Sequence, residues 1–381
     1  MQLQPFLLDQ WLSTHSGVTF NLGGSTGPHW TMRELLDLAG EDGRQHLLES
    51  RLVYGPAHGA ASLREEIAAM QGVPVEHVLV LAGGSEALLH LFFHAAEPAA
   101  NVVVPFPGFP PYHAVPESLG MEVRTYHLRR ENRYRVDLDE VRALLDVNTK
   151  LLLVNSPHNP TGAALSDDEL DALHHLTAER DIQFVCDEVF HPIYHGRNTA
   201  SAARLPRATV IGDLSKAFSL SGLRVGWIVE PDARRRAEYL NAREYFSISN
   251  TTAGEFLAAV AVRHRDTIFG RTFEVATANL RELDRVMDGH RGVLEWIRPA
   301  GGMTAFIRLV DGADARGLCE AALGRDVLLT PGDCFGVPDH FRLGFGVGRE
   351  WFPHAMERLD DVVAGWKAAR RADADRSAPA V

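Results

Sequence analysis

Between about residue 60 and residue 235, short apolar runs alternate with stretches whose apolar positions recur every three or four residues. The runs HVLVLAG, NVVVPFP, KLLLVNSP, IQFVCDE and TVIGDLS are bounded by Gly, Pro or Asn. Such runs are too short for helices and predict strands buried on both faces. The intervening SLREEIAAMQG, SEALLHLFFHAAE and SDDELDALHHLTAERD gather their apolar side chains on one helical face. Strand and helix in alternation build βαβ units, so the expected core is an α/β arrangement with a mainly parallel sheet between helices. The rhythm changes after residue 280, where NLRELDRVMDGH, GMTAFIRLV, DARGLCEAALGRD and HFRLGFG predict a smaller α+β domain. The expected organisation is an N-terminal arm over 1–45 that packs on the small domain, a large domain over 46–280 and the small domain over 281–365. The small, charged residues of the tail 366–381 predict disorder.

In an open parallel sheet, ligands collect at the carboxyl ends of the strands. The residues that follow the apolar runs are polar there: Gly83-Gly84-Ser85, Asn155 to Asn159, Asp187-Glu188 and Ser215-Lys216. Lys216 sits between an apolar strand and a Gly-punctuated loop, where a desolvated amine acquires a lowered pKa and can form a Schiff base. A lone Ser-Lys pair is more often an exposed surface lysine, so the neighbours decide. Asp187 ends the run IQFVC, and a carboxylate there is costly unless it meets a cation. A protonated pyridine nitrogen is such a cation. Gly84 and Ser85 open a predicted helix whose free N–H groups favour a phosphate, although Gly-Ser before a helix is an ordinary cap more often than an anion site. Arg224, eight residues after Lys216, adds a fork of donors.

Charge and composition narrow the class. The 381 residues are 45% hydrophobic and carry a net charge of −12 with no basic stripe, which argues against nucleic acid as a partner. The start MQLQPFLLDQWLSTHSG has neither a positive n-region nor a spanning apolar run, so no membrane partner and a cytoplasmic location are expected. Cys186, Cys319 and Cys334 lie far apart and read as buried small hydrophobes more readily than as a catalytic thiol. The 18 histidines form no HExxH or paired Cys/His spacing, so no metal is expected.

The set Tyr54-Gly55-Pro56, GGSEAL, PGFPPY, NSPHNPTG, DEVF, SKAFSLSGLRVGW and FRLGFG resembles the class I/II aminotransferases, the fold-type I enzymes dependent on pyridoxal 5′-phosphate (PLP). The resemblance spans nearly the whole chain, with the motifs in family order. It implies a fold-type I PLP-dependent transferase that acts on a small amino-acid substrate through an aldimine and a quinonoid. Lys216 would then form the aldimine and shuttle the Cα proton, Asp187 would pair with the pyridine nitrogen, and Asn159 would donate to the ring 3′-oxygen. Phe109 would stack on the ring; Gly84, Ser85, Ser215 and Arg224 would hold the phosphate, with Tyr54 reaching over from a neighbouring subunit of a homodimer. Arg342 would clamp the substrate carboxylate.

Two positions depart from the family pattern. Phe190 replaces the tyrosine whose hydroxyl bonds the 3′-oxygen, which should raise the aldimine pKa. Asp213 replaces a common serine three residues before the lysine, and a carboxylate so near a phosphate is expected to turn away. The edges QPFLLDQWL, GGSTGPHWT, RPAGGMTAF and PGDCFG resemble the capreomycidine synthase branch, whose members eliminate a side-chain hydroxyl and close a ring. Aminotransfer is the first reading and elimination with cyclisation the alternative; a non-catalytic binding module is the third. Gly24, His29 and Trp30, with Arg342 and Asn159, are expected at the substrate, and Tyr112, His191 and Tyr194 are further candidates for lining the pocket.

Overall fold

A computed structural model of the chain describes residues 2–377. After a short β1 (Phe20–Asn21), seven strands form the principal sheet: β2 (Val78–Leu81), β3 (Asn101–Phe106), β4 (Glu122–His127), β5 (Thr149–Asn155), β6 (Gln183–Asp187), β7 (Ala208–Asp213) and β8 (Gly226–Val229). Their order is β2-β8-β7-β6-β5-β3-β4. All neighbours run parallel except β8, which is antiparallel to both β2 and β7.

The buried runs are shared out with a period of two. Val80, Val103, Leu152, Phe184, Cys186 and Val210 face one core with helices Ala61–Gln71, Asp167–Ala178 and Thr252–Arg263. Leu81, Val104, Leu153, Val185, Ile211 and Ile228 face the other with helices Gly84–Ala95 and Ala233–Phe246. Both faces are covered, which is why these strands read as continuous apolar runs. The register pairs Asn155 with Asp187 and Asp187 with Ile211. The carboxyl ends of β5, β6 and β7 therefore deliver Asn155, Asp187 and Asp213 to one edge.

The second sheet is antiparallel, with β9 (Leu294–Trp296), β10 (Thr304–Leu309), β12 (Thr330–Pro331) and β13 (His340–Gly344) in the order β12-β13-β10-β9; β11 (Val327–Leu328) pairs separately with β1. Its core joins Leu280, Leu283, Leu318, Phe341 and Leu359. The helix Arg265–Gly289 links the two cores, with Ile268 in the first and Ala276 in the second.

Two expectations about the ends are corrected. Residues up to β1 do pack on the second sheet, where the Trp11 indole N–H donates to the Leu329 carbonyl at 2.7 Å. Helix Met32–Leu48, however, adds Leu35 to the core of the principal sheet and sets His46 against Phe256 with ring centroids 4.7 Å apart. Its stripe of Leu35, Leu36, Leu38 and Leu47 draws it there. The tail expected to be disordered over 366–381 continues the last helix, Phe352–Ser377; Ala, Arg and Lys keep helix propensity high enough to extend a packed helix. Residues 378–381 lie outside the described ones. Among the described residues, no helix is long and apolar enough to cross a membrane.

Candidate active site

The edge formed by β5, β6 and β7 opens into a cavity of about 350 Å³. Lys216, Asp187, Asn159, Arg342, Gly84, Ser85, Phe109, Phe190, Ser215, Arg224 and Gly24 all line it. Sequence reasoning named these residues from segments spread over more than 300 positions, and the fold brings them together.

At the centre, the Lys216 Nζ donates to Ser25 Oγ at 3.0 Å. Burial lowers its pKa, while the Asp213 carboxylate pulls it back up. Asp187 is 4% exposed. It accepts from the Tyr112 hydroxyl on Oδ2 at 2.8 Å and from the Val189 N–H on Oδ1 at 3.1 Å. No salt bridge to it is found among the described residues, and desolvation pushes its pKa up to about 7 despite those two donors. Such a carboxylate is stabilised by an adjacent cation.

Asn155 sets the positions of both neighbours. Its side-chain amide donates to the Asp187 carbonyl at 2.9 Å, and its Oδ1 accepts from the Asn159 N–H at 2.8 Å. Arg342, 2% exposed on β13, donates to Asn159 Oδ1 at 3.0 Å and to the Gly23 carbonyl at 2.6 Å. Both acceptors are neutral, and Nε has no partner. Burial lowers the guanidinium pKa to about 10. A buried cation with neutral partners favours an incoming carboxylate. The approach is tight: a Cβ on Gly344 would collide with the Gly24 carbonyl, so glycine there lets the Gly23-Gly24 loop close over Arg342.

At the other end, Gly84 and Ser85 begin helix Gly84–Ala95, preceded by Gly83 at φ 95° with no side-chain cap. A Cβ on Gly83 would lie 2.8 Å from the Arg224 guanidinium; its absence lets Arg224 lie across the helix N-terminus. Arg224, at the exposed rim, donates to the Ala82 and Ser221 carbonyls.

Several placements differ from expectation. Asp213 does not turn away: its carboxylate lines the cavity, accepting from Ser215 N–H at 2.8 Å and from Gly84 N–H at 3.4 Å. The two N–H donors hold it inward. His29 and Trp30 do not line the cavity. The His29 side chain is exposed, and Trp30 lies under the Arg271 guanidinium at 4.5 Å. Ser25 and Thr26 occupy the cavity wall in their place. His191 borders a separate cavity of about 510 Å³ behind the sheet, while Tyr194 is buried and bridges to Gly301. Tyr54 is 81% exposed and outside its own chain's cavity. The three cysteines are free and buried. Tyr112, expected only as a wall residue, also holds Asp187. Asn155, Ser25 and Asp9 complete the site, and no sequence motif assigns them a role.

A buried lysine and an aspartate without a cation at the strand ends of the principal sheet, faced by a buried arginine from the second sheet, define a fold-type I PLP enzyme. The sequence profile described as "Aminotransferase class I and II" matches residues 23–359, and the chain belongs to that family. Among its relatives are the capreomycidine synthase of Streptomyces vinaceus, 33% identical over 83% of this chain and 82% of the relative, and the arginine–pyruvate transaminase of Pseudomonas aeruginosa, 30% identical over 82% and 83%. Solved structures with the same architecture include a PLP-dependent aminotransferase from Streptococcus suis, with TM-score 0.90 and 26% identity over 96% of this chain and 99% of that one. The PLP-dependent cyclase OrfR has TM-score 0.86 and 29% identity over 96% and 98%. The chain is thus a PLP-dependent enzyme of the aminotransferase type, and the donor set of the cavity fits that cofactor.

Proposed function

We propose that the enzyme transaminates an α-amino acid with a cationic side chain. The observation that carries the reading is the joint lining of one cavity by the Lys216 amine, the Asp187 carboxylate and the Arg342 guanidinium. PLP, when bound, supplies an electron sink for negative charge at the substrate Cα. The remaining work belongs to side chains. Lys216, with its pKa lowered by burial, would hold the cofactor and serve as the base for the substrate Cα proton. Asp187 would pair with the protonated ring nitrogen, and Tyr112 and Val189 hold that carboxylate in line. Arg342 grips the substrate carboxylate and Asn159 supports both. Gly84, Ser85, Ser215 and Arg224 receive the phosphate, and Phe109 and Phe190 exclude water from the ring.

The substrate class follows from Asp9. Phe6, Leu8, Leu12 and Thr26 line the mouth of the cavity together with Asp9, an exposed carboxylate for which no hydrogen bond or salt bridge is found among the described residues. Apolar walls with one carboxylate suit a methylene chain ending in a guanidinium or ammonium. Asp9→Ala is expected to lower kcat/KM for arginine by about 10- to 100-fold, the worth of a hydrogen bond to a charged group, and to leave that for alanine within about threefold. Equal losses on both substrates would remove the cationic class.

A homodimer is part of the reading. Leu52, Tyr54 and Tyr245 are 90%, 81% and 83% exposed, and the partly exposed Phe93 and Phe246 meet edge to face. A surface this apolar is characteristic of a subunit interface.

Phe190 favours a second reading, elimination and ring closure, since no tyrosine hydroxyl stands at this position and two relatives are a capreomycidine synthase and a cyclase. Both reactions begin with removal of the Cα proton by Lys216. The test is incubation of the purified holoenzyme with arginine and hydroxyarginine, with and without pyruvate, and identification of products by mass spectrometry. A 2-oxo acid that exceeds one equivalent per enzyme only with pyruvate supports transamination; a cyclic amino acid formed catalytically without it replaces that reading with the second.

A further inference from the structure

The least expected group in the cavity is Asp213. Helix Gly84–Ala95 presents an uncapped N-terminus, and the group facing its first N–H is the Asp213 carboxylate, with Oδ2 at 3.4 Å from Gly84 N. The other oxygen is fixed by Ser215 N–H at 2.8 Å. Around it stand Ser85, Ser215, Ser221 and Arg224, donors suited to a phosphate. A carboxylate thus already sits on donors that the cofactor's phosphate would use.

We propose that Asp213 makes the grip on the phosphate proton-linked: binding takes up one proton from solvent, which is then shared between the Asp213 carboxylate and a phosphate oxygen. No bond to phosphorus is made or broken. The inference rests on the PLP reading above. A phosphate monoester loses its second proton near pH 6, so above that pH a dianion would meet a carboxylate across one small cup. The charges facing Asp213 do not cancel this. Lys216 and Arg224 are the cations on the cavity side, but neither bonds Asp213: the Lys216 Nζ is on Ser25 Oγ and the Arg224 guanidinium is on the Ala82 and Ser221 carbonyls; Asp187 on β6 would face the ring nitrogen. On its other side Asp213 borders the second cavity with Glu188, His191, Arg204, Arg265 and Asp266. Both Glu188 oxygens there are taken by Ser201 and Ala202, and Arg204 is paired with Asp171.

The test uses pyridoxamine 5′-phosphate, which carries the phosphate but forms no bond to Lys216, titrated into cofactor-stripped protein by fluorescence. Wild-type affinity is expected to fall by up to about tenfold per pH unit above neutrality, one proton being taken up per ligand. Asp213→Ser and Asp213→Asn should both bind at least tenfold tighter at pH 8.5, with the gap closing to within about threefold at pH 6. The asparagine variant retains an acceptor for Ser215 N–H, so it separates charge from loop geometry. Pyridoxamine without phosphate should bind all three proteins alike. The ³¹P resonance of bound ligand should titrate in wild-type and stay constant in Asp213→Asn. Variants that bind no tighter, or tighter by the same factor at every pH, overturn the proposal. Failure of wild-type to bind the ligand at any pH would instead overturn the PLP reading itself.

Discussion

Lys216→Ala is expected to fold, to take up PLP, and to lose turnover by roughly 10⁴-fold or more, because one side chain serves both as covalent attachment and as the base at Cα. That loss corresponds to about 5–6 kcal/mol of transition-state stabilisation. The phosphate donors and Asp187 do not depend on the amine: among the described residues the Lys216 Nζ makes one hydrogen bond, to Ser25. Removing the amine relieves its desolvation but also takes away its attraction to Asp213, and these opposing effects should leave the thermal midpoint within a few degrees of wild-type. The visible band of the lysine-bound cofactor should be replaced by that of free PLP held non-covalently. Added methylamine or ethylamine should restore a small part of the rate, as expected when an amine is missing and the remaining geometry is intact. Turnover near the wild-type level would show that another group does this chemistry.

How much of this was legible in the sequence varies with the range of the interaction involved. Strands β3, β5, β6 and β7 were visible because burial on both faces demands unbroken apolar runs, and their carboxyl ends could be inspected without knowing the strand order. Lys216, Asp187 and Asn159 follow those runs closely, so their placement at one cavity is legible from the sequence. The pairing of Tyr112 with Asp187 spans 75 positions and depends on the register of three strands; a linear reading offers only an aromatic residue near a turn. Asp9 is similar, an ordinary acidic residue in an amphipathic helix until that helix is laid over the cavity. His29 and Trp30 failed for a local reason. They share a loop with Gly24 and Ser25, but beyond Thr26 the chain leaves the cavity, and Trp30 finds Arg271. Asp213 was judged on charge alone, which would turn it outward, whereas two backbone N–H groups hold it in.

The second large effect should come from Asp187→Asn, which is expected to cripple the enzyme and to stabilise its cofactor-free form. Without its cationic partner the native carboxyl titrates at about 7 instead of 3.8. The unfolded chain releases that proton near pH 4, so over the interval from 4 to 7 the native state binds more protons than the unfolded one. Stability therefore falls as pH rises through that interval, by roughly 4 kcal/mol once ionisation is complete. Asparagine fills the same volume, accepts from Val189 N–H and carries no charge. The melting temperature of cofactor-free Asp187→Asn should then exceed wild-type by about 3–5 °C at pH 8, with the difference shrinking as pH is lowered to 4. Activity should move in the opposite direction: a neutral amide cannot keep the ring nitrogen protonated, and a roughly 10²- to 10³-fold loss of kcat is expected for removal of a preorganised charge. Addition of PLP should raise the wild-type melting temperature more than that of the variant at pH 8, since only the wild-type gains a buried ion pair. A variant no more stable than wild-type at pH 8 would mean that water or another group already neutralises Asp187. A variant with unchanged kcat would show that the carboxylate does not serve the ring.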